Sequence, residues 1–430
     1  MGFSKRTVRK LCIVAMVFII VAVPLTGAPA SASSGTLSIT SNTTLSEDHH
    51  GSIVIAADNV TLDCAGHTVS GPGELDAGIL LDGRSGVTIT GCQVSGFQSG
   101  FFLTSASGNT FEGNFASANQ HEGVLSVGGS SNNVLDGNTS KDNGNTGFVF
   151  EGAQGNVLRN NAAIANGIST ESGGFYLISS SHNLLQQNVS VGNGFIGFGF
   201  ADSGSNVVDK NEARANLDNG FAGSGDNNTF SMNRSVGNFR RGFAFAESSG
   251  LVLLGNEAVG NEGFFGYEVH VGSAMMWRGN SAIGNGGGFL LDTVNHSVFK
   301  GNIARNTDTD FDGFAIGPSS SGNEFRGNSS VRNGQDGFRI FEGSNDNVFE
   351  MNQANENRYD GFTIQSSNRN LLETNQAMLN GARGFSVLFG SSGNTMRRNV
   401  ACRNGELDAF DDHAGTGNVW EANIFCTSNI

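Results

Sequence analysis

Proline is almost missing: 4 of 430 residues, and two of these, Pro24 and Pro29, lie in the first thirty. Tyrosine and tryptophan are scarce as well, at 3 and 2. So little proline excludes collagen, which needs Gly at every third position together with abundant Pro. Charged residues make up 15%, and 39 acidic groups outnumber 24 basic ones, giving a net charge of −15. That balance supplies no basic surface for nucleic acid. No apolar run after the first thirty residues is long enough to span a bilayer. Helical periodicity is missing too, and Gly, which costs roughly 1 kcal/mol in a helix interior, is everywhere.

What is abundant is Gly, 63 residues, and Phe, 33 residues. With 37% hydrophobic residues the chain can build a core, so a disordered chain is excluded. Many tight turns around a large aromatic core point to a repeat.

The first 32 residues are expected to be a signal peptide. Lys5, Arg6, Arg9 and Lys10 precede the apolar run from Leu11 to Val23, and Ala28-Pro29-Ala30-Ser31-Ala32 supplies small residues at the cleavage spacing. Its removal takes four basic groups and leaves −19. The mature protein is then expected to be secreted, monomeric and without a membrane segment. Four cysteines remain: Cys64, Cys92, Cys402 and Cys426. An even number in an exported chain suggests disulfides. The separations of 28 and 24 residues favour Cys64–Cys92 and Cys402–Cys426, each joining neighbouring coils.

The repeat spans nearly the whole mature chain. From Asn114 through Asn138, Asn161 and Asn188 to Asn423, thirteen intervals cover 309 residues, a mean of 23.8. A second Asn follows five residues later in nearly every copy, then Gly and an aromatic, as in Gly147-Phe148, Gly220-Phe221 and Gly361-Phe362. Such a sustained period signals a solenoid. Each copy holds three short pieces with strand-like alternation, for example Asn347–Asn352, Gln353-Ala354 and Gly361–Ile364. The expected fold is therefore all-β: a single-stranded right-handed parallel β-helix of about 16 coils of ~24 residues. Residues 33–62 are assigned to an N-terminal cap and entry strands, 63–426 to the β-helix and 427–430 to a tail. A Phe column including Phe148, Phe198, Phe338 and Phe385 should stack inside, against a small column such as Ala116, Ser140 and Ala163. Asn is expected at the bends because it tolerates the left-handed conformation and its amide can bond the next coil.

The opening coil Ile53–His67 and the closing segment Asp411–Ser428 carry a resemblance. The chain resembles the secreted right-handed parallel β-helix proteins of the pectin-lyase-like superfamily, and more narrowly bacterial proteins with NosD-type, carbohydrate-binding and sugar-hydrolysis repeats. The resemblance implies an extracellular polysaccharide as partner, and polysaccharide lyase, glycoside hydrolase or epimerase activity if the protein is an enzyme. Motifs of individual enzymes are incomplete. Asn306-Thr307-Asp308 resembles part of the polygalacturonase pattern, but Gln335-Asp336 stands where that pattern needs paired Asp, and Gly-His-Gly is missing. The Asp-Pro-His of mannuronan epimerases is missing as well. Methionines are scattered, so no cluster suggests copper.

In a solenoid, functional residues break the ladder. Asp312, Asp336 and Asp360 recur at 24-residue intervals directly before Gly, so they should stack in adjacent coils about 4.8 Å apart. Like charges that close raise a pKa or recruit a cation. With Arg339 and Arg383 they are the candidate catalytic set. Asp308, Asp310 and Asp312 are a candidate Ca²⁺ site, with no cofactor required otherwise. Phe311, Tyr359 and Arg358 are candidate substrate-binding residues, since flat aromatic faces stack on sugar rings. Two functions stay open at this point: a secreted β-helix protein that binds and processes polysaccharide, or a non-catalytic extracellular adhesin or scaffold.

Overall fold

A computed structural model describes residues 33–71, 77–168 and 172–430. The expected signal peptide, Pro72 and part of the long turn after Asn166 lie outside the described residues.

Each turn of chain makes three strands. In one coil these are Phe338–Phe341, Val348–Glu350 and Gln353–Asn355. Each pairs in parallel with its equivalent one coil later: Phe338 with Phe362, Val348 with Leu371, Gln353 with Gln376. Three parallel sheets result, here the first, second and third in that order, and no helix occurs among the described residues. The chain is a right-handed parallel β-helix of about 16 turns. Strands at Ser33–Ser34 already pair with His49–His50, so residues 33–62 take part in the stack. At the other end Ile424–Phe425 pairs with Val400–Ala401, and Ser428 bridges Ala409.

The core follows from alternation along short strands. On the first sheet Phe148, Phe175, Phe198, Phe221, Phe243, Tyr267, Phe289, Phe314, Phe338, Phe362 and Phe385 point inward in one continuous register and are all buried. Their rings stack 4.6 to 4.9 Å apart with 3 to 8° between planes, because parallel strand spacing imposes that distance on side chains in register. The third sheet faces them with buried Ala116, Ser140, Ala163 and their successors. Large against small fills the narrow interior.

The asparagines form ladders between the sheets. Asn188 donates its backbone N–H and its amide to Asn211 Oδ1 at 2.8 and 2.9 Å. Asn211 in turn donates to Leu185 O at 2.8 Å and to Asn233 Oδ1 at 3.0 Å. Through most of the stack these amides are buried and partnered, as a polar group in a core must be. The conformational reason given for Asn is corrected by the structure. The ladder Asn are not left-handed; the residue before each is, whatever its type: Gly137 (φ 66°), Gln187 (φ 55°), Met232 (φ 53°), Arg398 (φ 55°). Asn is required for its hydrogen bonds, and Gly relieves the preceding bend, where a side chain costs roughly 1–2 kcal/mol.

Disulfides join Cys64 to Cys92 and Cys402 to Cys426, with Cα atoms 4.8 and 5.2 Å apart. Both link successive coils near an end of the stack.

Asn211→Ala should orphan the Asn188 N–H and the Leu185 carbonyl inside the core. A loss of about 3 kcal/mol or more is expected. Urea denaturation followed by circular dichroism measures it.

Candidate functional site

The Asp column forms as the spacing predicts, but its orientation is different from a row of exposed charges. Asp312 and Asp360 are buried, and Asp336 is partly so. Each occupies the turn that leads into the first sheet and accepts the backbone N–H of its counterpart in the next coil. Asp336 N donates to Asp312 Oδ1 at 3.0 Å, Asp360 N to Asp336 Oδ1 at 2.9 Å, and Arg383 N to Asp360 Oδ1 at 2.8 Å. The second oxygen of Asp360 accepts Ser386 Oγ at 2.6 Å.

Burial pushes the Asp312 carboxyl up to about 6, against the pull of Arg339. Burial, then repulsion from Asp312 and Asp360, pushes Asp336 up to about 7. A stacked carboxylate column under a surface cannot ionise fully at neutral pH.

An open groove of about 470 Å³ lies over these groups, lined by Asp336, Arg339, Tyr359, Asp360, Thr363 and Arg383 among others. Arg339 and Thr363 are adjacent outward positions of the first sheet. Arg339 Nη2 donates to Gln365 Oε1 at 3.0 Å, and its guanidinium lies 5.1 Å from the Phe341 ring centroid. Arg383 lies 4.1 Å over the Phe410 ring. Its Nε is 3.1 Å from Glu406 Oε2, but without hydrogen-bond alignment. Two guanidiniums are thus held by aromatic faces at the groove, with donor capacity suited to a carboxylate. Tyr359 is exposed at the rim, and exposed Arg358 lies 5.6 Å from its ring centroid.

Asp336, Asp360, Arg339, Arg383 and Tyr359 therefore come together. Phe311 does not join them: it packs edge-on against Phe265, 5.4 Å between ring centroids. Asp312 lies below the groove rather than in its lining. The expected Ca²⁺ trio is not assembled. Asp308 and Asp310 are exposed in the turn, whereas Asp312 is buried and engaged with Asp336 N. Among the described residues, three metal-capable side chains approach within 4.8 Å at Cys402, Asp408 and Cys426, where both sulfurs belong to a disulfide.

A second ionic cluster escaped the sequence expectations. Glu268, buried on the first sheet, pairs with Arg241 and with His270 Nε2 at 2.5 Å, and His270 Nδ1 lies 2.8 Å from Asp292 Oδ2. Burial opposes the charge on His270, but hydrogen bonds to Asp292 and Glu268 outweigh it and raise its pKa. The clue in the sequence was Tyr267, which replaces Phe in the ladder and places Glu268 and His270 at outward positions.

The family model described as periplasmic copper-binding protein (NosD) matches residues 19–196, 163–277 and 272–430. The chain belongs to the NosD family. No curated protein matches its sequence. Among solved structures, tailspike protein 3 of bacteriophage CBA120 is similar over 85% of this chain at 10% identity, with a TM-score of 0.50. This NosD-family chain spans 56% of the tailspike's length, and the likeness is one of fold. The periplasmic alginate epimerase AlgG aligns over 80% of this chain and 77% of its own at 12% identity, TM-score 0.34. Pectate lyase Pel9A aligns over 52% of this chain and 66% of its own at 18% identity, TM-score 0.32.

The raised carboxyls make stability depend on pH. Both groups hold their proton more tightly folded than unfolded, so their stabilising contribution is lost as pH rises from about 4 through about 7. Asp336→Asn keeps the acceptor for Asp360 N without the charge. Its stability relative to the parent should grow across that window by on the order of 1 kcal/mol per pH unit. Denaturant midpoints at pH 4, 5.5 and 7 check this.

Proposed function

We propose that the protein is exported and binds an acidic polysaccharide in the groove over Asp336 and Asp360, where it carries out acid–base chemistry on a uronate unit. One observation carries this reading: a carboxyl pushed up to about 7 lies in the same groove as two guanidiniums held on aromatic faces. Arg339 and Arg383 would receive the carboxylate of a uronate, since a guanidinium fork matches that group. Tyr359 at the rim offers a flat face for a sugar ring. Asp336 would hold or take the proton that moves, and Asp360, bonded to Ser386 and to the Arg383 amide, would keep that proton near it by repulsion. Lyase, epimerase and hydrolase chemistry all use such a poised group.

The family description names copper and the periplasm. The periplasm agrees with the export segment read from residues 1–32. The described residues do not fit a copper centre. The cysteines are paired, the one three-residue donor set contains a disulfide, and the exposed Met232, Met276 and Met351 stand in separate coils. A non-catalytic scaffold has one observation in its favour: the Asp column also caps backbone amides of successive coils.

Incubation with a panel of uronate polymers separates the readings. Unsaturated product by ultraviolet absorbance, reducing ends, and epimer content by NMR report the three chemistries. Activity is expected on at least one polymer, with Asp336→Asn lowering kcat by roughly 100-fold or more and Arg383→Ala acting mainly on KM. Binding without product supports the scaffold, and a fully active Asp336→Asn removes the Asp column from the chemistry.

A further inference from the structure

The coils from Phe243 to Asn295 depart from the repeat in several ways at one place. Strands of the first sheet, three or four residues long through most of the stack, lengthen to seven, nine and nine at Phe243–Ser249, Phe265–Ser273 and Gly287–Asn295. Tyr267 enters the Phe ladder and donates its hydroxyl to Asn256 O at 2.7 Å. Trp277 fills the second sheet's core position beside it, 5.8 Å between ring centroids. Structural need does not demand these changes, because the coils on either side stack without them.

Above this widened sheet lies a cavity of about 410 Å³. Its floor is built from Ala222, Gly223, Ala244 and Ala246, and it is mostly apolar. One wall is the ionic network of Arg241, Glu268 and His270. Each member is fixed by another. Glu268, 3% exposed, receives Arg241 and His270. His270 receives Asp292 on its other nitrogen, and Thr293 Oγ1 donates to Asp292 Oδ1 at 2.9 Å. The Arg241 guanidinium lies 4.6 Å over the Phe264 ring. Arg241 and the His270 ring face the carboxylates of Glu268 and Asp292, so the wall is polar, fixed and without excess positive charge. A charged sugar finds no excess countercharge there. A ring with an apolar face and hydroxyl edges finds a flat floor and a fixed set of donors and acceptors.

We propose that this cavity is a second glycan-binding site, which takes an uncharged hexose ring lying on the alanine floor with its hydroxyls against the Arg241 guanidinium and the Glu268 carboxylate, beside the His270 ring. It differs in chemistry from the groove over Asp336. The two lie on the same sheet: Glu268 is in register with Leu290, Ala315 and Arg339, three coils or about 14 Å along the stack. A polymer containing both neutral and acidic sugars would engage both sites at once.

Calorimetric titration of the whole protein with neutral β-glucan and mannan oligosaccharides, and with oligouronates, tests this. Binding of a neutral oligosaccharide is expected, with movement of the His270 ring signals in ¹⁵N NMR spectra. Ala244→Trp, which fills the floor from its outward face, should weaken that binding by about tenfold or more. The Nε signals of Arg339 and Arg383 report the acidic site separately, so each site can fail alone. The proposal is overturned if no neutral oligosaccharide binds, if it binds with the His270 signals unmoved, or if Ala244→Trp binds it as tightly as the parent.

Discussion

The structure depends on one interaction: the buried asparagine amide that bonds the coil on each side. A β-helix must turn its backbone at three corners per coil, and each corner leaves peptide groups inside without a sheet partner. Asn supplies an acceptor to the preceding coil's N–H and amide, and donors to a carbonyl and to the following Asn, as at Asn211. Each orphaned group inside costs on the order of 1–3 kcal/mol, and the corner before the second sheet is where the ladder is interrupted, by buried Leu251 and Met275. The ladder also fixes register. With corners locked coil to coil, side chains at equivalent positions have no freedom to slip, and the Phe rings stack at the strand spacing.

Register makes electrostatics a property of columns. Any ionisable residue repeated at the coil period meets its own kind one strand away, as Asp312, Asp336 and Asp360 do. Burial raises the pKa of Asp312 and Asp336, and at Asp336 the geometry that aligns Phe with Phe adds repulsion from the carboxylates on either side. The Asp residues bond coil to coil in the opposite direction: each accepts the next coil's N–H, where the ladder Asn accepts from the preceding one. A corner acceptor and a carboxyl with a raised pKa are thus the same residue at Asp336. Arg383 ends the column by offering its own backbone N–H to Asp360 while its side chain turns to the groove.

The sequence made the periodic features legible and left the aperiodic ones obscure. Coil length, the Phe and Ala/Ser columns, the cysteine pairs and the Asp column all follow from equal spacing, and equal spacing is what a parallel stack converts into contact. The turn at Asp308–Asp312 failed as a metal site because alternation within one turn says nothing about where each carboxylate points: Asp312 is drawn inward to Asp336 N, and its neighbours stay in solvent. The network of Arg241, Glu268, His270 and Asp292 was missed for the opposite reason. Its members come from three coils, share no residue type and occur once. Only the strand alternation around Tyr267 placed two of them on the outer face.

The two ionic clusters also show where a solenoid can carry residues that its ladders do not need. Interior positions are saturated by the ladders, so change is tolerated on the outward positions of the first sheet and in the turn before it. Both clusters arise there: Arg339 and Glu268 are outward residues of one register column, three coils apart. Small outward residues at Ala222 and Ala244 leave room that larger neighbours elsewhere in the column, such as Phe102 and Tyr176, would occupy. Variation in such a fold is therefore written lengthwise, by which coils carry a small residue and which carry a charge, and the proposed polymer ligand has the shape to follow it.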